Sequence, residues 1–100
     1  MLDLNRFAGF DWDEGNRGKS VAKHGIGNLD AEQVFSNEPV LIVKDEAHSV
    51  DEARYHALGV SNAGLLLQVT FTLRQDETLI RIISARRMNR IERLRYAQEI

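Results

Sequence analysis

Near the end of the chain, Arg81-Ile82-Ile83-Ser84-Ala85-Arg86 sets two fixed cations five positions apart, and a helix-like run continues to Tyr96. Far upstream stands an isolated Lys23-His24-Gly25. Cleaving RNA through its own 2′-hydroxyl without a metal needs three things: a group to take that proton, positive donors around the crowded phosphorus, and an acid for the departing 5′-oxygen. An imidazole exchanges protons near neutral pH, which makes His24 the natural proton carrier. An ammonium such as that of Lys23 does so only where burial or neighbouring arginines disfavour its charge. Arginine stays protonated, so Arg54, Arg81 and Arg86 are read as charge stabilisers. Tyr96 can orient the phosphate or stack on a base.

Each of these residues has a plainer reading. His24, next to Gly25, can cap a helix end, where a cation is favourable. Arg81 lies between apolar neighbours and can pair with Glu52 to hold the fold. In a regular strand Arg86, five positions on, faces away from Arg81, so both reach one site only if a bulge or the strand's end intervenes. Tyr96 can be a core anchor. His48 and His56 read as ordinary loop and strand residues. Asp45, His48 and Asp51 are too few, on too loose a connection, for a metal site, so no metal and no cofactor are expected.

A chain of 100 residues supports one modest core, and a single domain over 1–100 is expected. Without cysteine, neither a disulfide nor a thiolate zinc site holds it together. With 43% hydrophobic and 28% charged residues, it has the composition of a folded globular protein. No apolar run approaches the roughly 18 residues that span a bilayer. Met1 to Phe10 lacks a signal peptide's basic start and apolar stretch, so a cytoplasmic protein with no membrane association is expected.

The net charge of −2 hides a division along the chain. Residues 1–73 carry 6 basic and 11 acidic side chains, whereas 74–100 carry 7 basic, all arginine, and 4 acidic. The two parts are therefore at −5 and +3. An acidic total argues against indiscriminate coating of nucleic acid but permits a local basic site that grips one or two phosphates.

Several elements must position these groups. Phe7, Phe10 and Trp12 mark a short opening strand, and Asp13 is a plausible N-cap for a helix running to Lys23, weakened by Gly15 and Gly18 and ended by Gly25. A second helix is expected from Leu29 to Ser36, capped by Asn28, with Leu29, Ala31, Val34 and Phe35 inward. Pro39 breaks the helical pattern. Strands follow at Val40–Val43, Arg54–Val60, Leu65–Arg74 and Leu79–Ala85, with Asp45–Ser49 an exposed connection and Gln75-Asp76-Glu77 a hairpin link. In the third of these, Leu65, Leu67, Val69, Phe71 and Leu73 share the core face. A last helix carries a narrow apolar stripe of Met88, Ile91, Leu94 and Ala97, with Arg87, Arg90, Arg93 and Arg95 solvated and Glu92 free to pair across a turn. The fold class expected is α+β, a small antiparallel sheet with N-terminal helices and a C-terminal helix.

The segments Phe10-Asp11-Trp12-Asp13, Lys23-His24-Gly25-Ile26, Ala31-Glu32-Gln33-Val34-Phe35, Asp45-Glu46-Ala47-His48-Ser49, Glu52-Ala53-Arg54-Tyr55, Arg81 to Arg86, and Glu92-Arg93 with Tyr96 resemble the BrnT toxins of bacterial type II toxin–antitoxin systems. The resemblance implies a RelE-like ribonuclease fold and metal-independent RNA cleavage that blocks translation. It also implies a BrnA-like ribbon-helix-helix antitoxin as partner, with DNA contacted only through that antitoxin. Two positions depart from the family pattern: Ser20 stands where many members have Asn, and Gly27 where many cap the second helix with Ser. A module of the same fold that holds RNA or antitoxin without turnover is the alternative.

Overall fold

The computed structural model describes residues 6–48 and 51–99. Along the chain run β1 (Gly9–Phe10), α1 (Lys19–His24), α2 (Asn28–Gln33), β2 (Leu41–Lys44), a 3-10 turn (Glu46–His48), β3 (Tyr55–Val60), β4 (Leu66–Arg74), β5 (Leu79–Arg87) and α3 (Arg90–Glu99). The strands form one five-stranded sheet in the order β1-β5-β4-β3-β2. The α+β class is as expected, but the sheet is mixed, because β1 pairs parallel to β5 while the other pairs are antiparallel. The opening strand enters beside the last strand, a long-range pairing that local periodicity does not reveal.

The alternation read in β4 sets the core. Leu67, Val69 and Phe71 are fully buried and pack with Ala57, Ile80, Ile82 and Ala85 beneath Ile26, Ala31 and Val34 of the α1–α2 region. Side chains of this size contribute about 2 kcal/mol each when fully buried. Phe10, Phe35, Phe71 and Tyr55 continue the layer as successive ring contacts, with centroids 5.0–5.7 Å apart. Gly59 lets α2 approach the sheet, since a Cβ there would lie 2.8 Å from Val34 Cγ1. On the opposite face Leu58, Met88 and Tyr96 form a second, smaller cluster under α3.

Several local expectations change. The first helix starts at Lys19 instead of near Asp13, because Asp13 closes a turn by accepting the Gly15 N–H on its side chain and the Arg17 N–H on its carbonyl. Gly18 (φ +85°) and Gly25 (φ +71°) bound the short helix in left-handed conformations. Gly27, not Asn28, is the N-cap of α2, and Leu29 is exposed. Of the stripe expected on the last helix Met88 is buried, but Ile91 (76% exposed), Leu94 (54%) and Ala97 face solvent. Met88, Glu92 and Tyr96, at four-residue spacing, face the sheet instead. Ser49 lies outside the described residues.

Candidate active site

Past Ile80, β5 has no strand partner on its outer side, and the N-terminal segment closes that edge with side chains. Asn16 is buried, and its amide donates to the carbonyls of Asp11 and Ile82, each at 2.9 Å. Ser20 is also buried, and its hydroxyl oxygen accepts the Ala85 N–H at 2.7 Å. Neither buried polar group is left without a partner, as low-dielectric burial demands. Because Lys23 and His24 follow Ser20 at i+3 and i+4, anchoring Ser20 against β5 turns both of them toward that strand. The result is a cleft of about 360 Å³ lined by Lys19, Ser20, Lys23, His24, Ile83, Ser84 and Arg86.

A bulge in β5 decides which residues reach this face. Thr70 pairs with Ser84 and Phe71 with Ile82, so Ile83 is an extra residue without its own partner on β4. Thr72, Thr70 and Gln68 point away from the main core, and their partners Arg81, Ser84 and Arg86 therefore share that side.

The six residues expected at the site separate. Lys23, His24 and Arg86 meet at the cleft. Arg86 is held there by Glu92 through two parallel bonds of 2.8 Å, and this pairing raises the guanidinium pKa further above its ordinary value. Burial alone would raise the Glu92 carboxyl, but the bonds from Arg86 and from the Asn89 N–H outweigh it and hold the group below its ordinary 4.5. Glu92 and Asn89 also form a reciprocal capping box at the start of α3, with Asn89 Oδ1 accepting the Glu92 N–H at 2.8 Å and Glu92 Oε1 the Asn89 N–H at 2.8 Å. The partner of Glu92 is thus a strand arginine and not one across a helical turn.

Arg81, Arg54 and Tyr96 lie outside the cleft. The guanidinium of Arg81, whose side chain is 16% exposed, bonds both Asp13 oxygens at 2.9 and 3.0 Å and stands 3.4 Å from Asp11. These bonds hold the Asp13 carboxyl below its usual range. Glu52 pairs with Arg74 instead. Arg54 lines a separate surface depression with His48, Asp51 and Glu52. The Tyr96 hydroxyl donates to the Pro39 carbonyl at 2.6 Å, and burial pushes its pKa up.

The reading of the sequence missed a polar row on the same sheet face. His56 Nε2 lies 3.0 Å from Asp45 Oδ2 and His56 Nδ1 lies 2.9 Å from Thr70 Oγ1. Asp45 Oδ2 also meets His48 Nδ1 at 2.9 Å. Burial opposes ionisation of Asp45, but the bonds and charges of the two histidines outweigh it and keep its carboxyl below 3.8. A histidine and a threonine at outward positions of adjacent strands were the available signal. Only the register joins them. Among the described residues no group of three His, Cys, Asp or Glu side chains is arranged to hold a metal ion, and no helix is long and apolar enough to cross a membrane.

No curated protein matches the chain. The crystal structure of the Brucella abortus ribonuclease toxin, BrnT, superposes with a TM-score of 0.60 at 25% identity, covering 82% of this chain and 97% of that one. A family described as "Ribonuclease toxin, BrnT, of type II toxin-antitoxin system" matches residues 12–92, a span that includes the β5 edge, the cleft and the Arg86–Glu92 pair. The chain belongs to the BrnT family of ribonuclease toxins of type II toxin–antitoxin systems.

Proposed function

We propose that this toxin cuts RNA in the cleft between α1 and β5, without a metal, and thereby blocks translation in the cytoplasm. The observation that carries this reading is the convergence of Lys23, His24 and Arg86, widely separated in sequence, on one cleft. Arg86 supplies fixed charge for the phosphate, and Glu92 holds its planar fork in place. His24 moves a proton, and Lys23 adds a second cation at the scissile phosphate. Arg81 and Tyr96 support the site from outside it: Arg81 ties the Asp11–Asp13 segment to β5, and Tyr96 anchors α3. Arg54, just before β3, serves the RNA path outside the cleft. One domain spans the chain.

The partner is a BrnA-like antitoxin with a ribbon-helix-helix part, and DNA is bound only through it. Pairing of Arg74, Arg81 and Arg86 with carboxylates narrows the positive surplus of the C-terminal part to Arg87, Arg90, Arg93 and Arg95. These four are exposed, as are Ile91 and Leu94 of α3, so an acidic antitoxin segment with apolar residues fits there. The test is incubation of purified, antitoxin-free protein with RNA in a chelator. Cleavage is expected; intact RNA under every condition, with normal growth on expression of the chain alone, would favour a holding module.

A further inference from the structure

The polar row beside the cleft has the order carboxylate, imidazole, hydroxyl. A carboxylate only accepts, so the proton of a neutral His56 lies on Nε2, facing Asp45, and Nδ1 is left to accept the Thr70 hydroxyl proton. The Thr70 oxygen then keeps lone pairs for an incoming donor. Thr70 stands opposite Ser84 on the outward side of the sheet, about 5 Å away at Cβ for such a pair, and Ser84 lines the cleft. The groups around His56 come from every neighbouring element: Asp45 after β2, His48 in the 3-10 turn, Arg54 just before its own strand, Thr70 on β4, and Glu92 on α3 with Arg86 of β5 attached. A histidine with 25% of its side chain exposed, backed by an aspartate with 14% exposed, is oriented and still reachable by solvent.

We propose that His56 is the base side of the RNA-cleaving site, acting as a positioning and proton-accepting residue through the Thr70 hydroxyl. The proposal rests on the ribonuclease reading above and completes it. As the 2′-oxygen attacks phosphorus, its proton passes to Thr70 Oγ1 while the Thr70 proton passes to His56 Nδ1. The 2′-oxygen–phosphorus bond forms, the phosphorus–5′-oxygen bond breaks, and protonated His24 returns a proton to the departing 5′-oxygen. Asp45 stabilises the imidazolium produced at His56, the role a carboxylate takes behind any catalytic imidazole. Arg86 faces the phosphate between the two histidines.

The experiment is a pH–rate profile for a defined RNA with the purified full-length protein, its His56→Gln, Thr70→Val, Thr70→Ser and Asp45→Asn variants, and thermal unfolding in parallel. His56→Gln and Thr70→Val are expected to lose about a hundredfold in rate near neutral pH. His56→Gln should also lose the acid limb, where the base becomes protonated, while Thr70→Ser stays within about tenfold of the wild type. Asp45→Asn should also lower the rate, since the imidazolium formed at His56 loses its counter-charge. A folded His56→Gln variant that keeps both limbs and its rate overturns the proposal while wild-type cleavage leaves the ribonuclease reading standing. A wild type that cuts no RNA ends both. Should His56→Gln unfold, Thr70→Val decides by the same criterion, because a merely structural cross-strand bond would alter the melting temperature and not the rate.

Discussion

Arg81 and Arg86 stand five residues apart on β5 and yet project from the same side of the sheet, because Ile83 is inserted as a bulge between their partners on β4. Same-side placement does not make them equivalent. Arg81 is consumed by Asp11 and Asp13, whereas Arg86 lines the cleft with one carboxylate steadying it.

The two substitutions should therefore separate. Arg86→Ala is expected to lower cleavage on the order of a hundredfold, the usual cost of removing one donor from developing transition-state charge. Arg81→Ala should act on stability and not on the chemistry, modestly because Asp13 is open to solvent, with activity recovered well below the melting temperature. Single-turnover cleavage beside chemical denaturation checks both, and a folded Arg81→Ala protein with the larger activity loss would return Arg81 to the chemistry.

What the sequence made legible follows from periodicity. The two-residue alternation of Leu67, Val69 and Phe71 identified the core face, and Lys23-His24 together with Arg86 named the groups that line the cleft. What it hid depends on partners distant in the chain. The parallel pairing of Gly9–Phe10 with β5, the edge closure by Asn16 and Ser20, and the bulge at Ile83 are all set by tertiary register. Apolar periodicity points to the wrong face of α3 because Glu92, a polar residue, occupies the covered stripe with Met88 and Tyr96, while Ile91 and Leu94 remain outside. His56 carries no local signal in the sequence, because its two ring contacts come from a neighbouring strand and from Asp45, eleven residues away.

Acid should loosen the fold through the same carboxylates. Asp45, Asp13 and Glu92 have folded pKa values below their ordinary values of 3.8 and 4.5, so each contributes stability that is present above those values and is lost as pH falls through the depressed folded ones. Denaturant midpoints should be flat between pH 5 and 7 on this count and fall steeply below about 4. Glu92→Ala, which removes the capping box and the Arg86 pair together, should cost about 1–2 kcal/mol at neutral pH and blunt that fall. An unchanged acid profile in this variant would remove Glu92 from the explanation.

Tyr96→Phe isolates the anchor from the chemistry. Loss of the bond to the Pro39 carbonyl should destabilise by about 1 kcal/mol with cleavage unchanged. A folded variant that cleaves tenfold more slowly would place the hydroxyl at the substrate instead.

Binding of the antitoxin should protect the end of β5 and α3 from hydrogen exchange, where Arg87, Arg90, Arg93 and Arg95 lie beside exposed Ile91 and Leu94. The complex should also cleave RNA more slowly than the free toxin. Protection confined to residues 1–40 would contradict this mode of inhibition.

Proton transfer in the α1–β5 cleft can be read from the pH–rate profile of His24→Gln on a defined RNA, in chelator and free of antitoxin. The variant is expected to fold, to cleave about a hundredfold more slowly near neutral pH, and to lose one limb of the profile. If His24 only complements the C-terminal end of α1, the substitution costs at most about 1 kcal/mol of stability, and both the rate and the two limbs are preserved; that result would rule out His24 as the proton carrier.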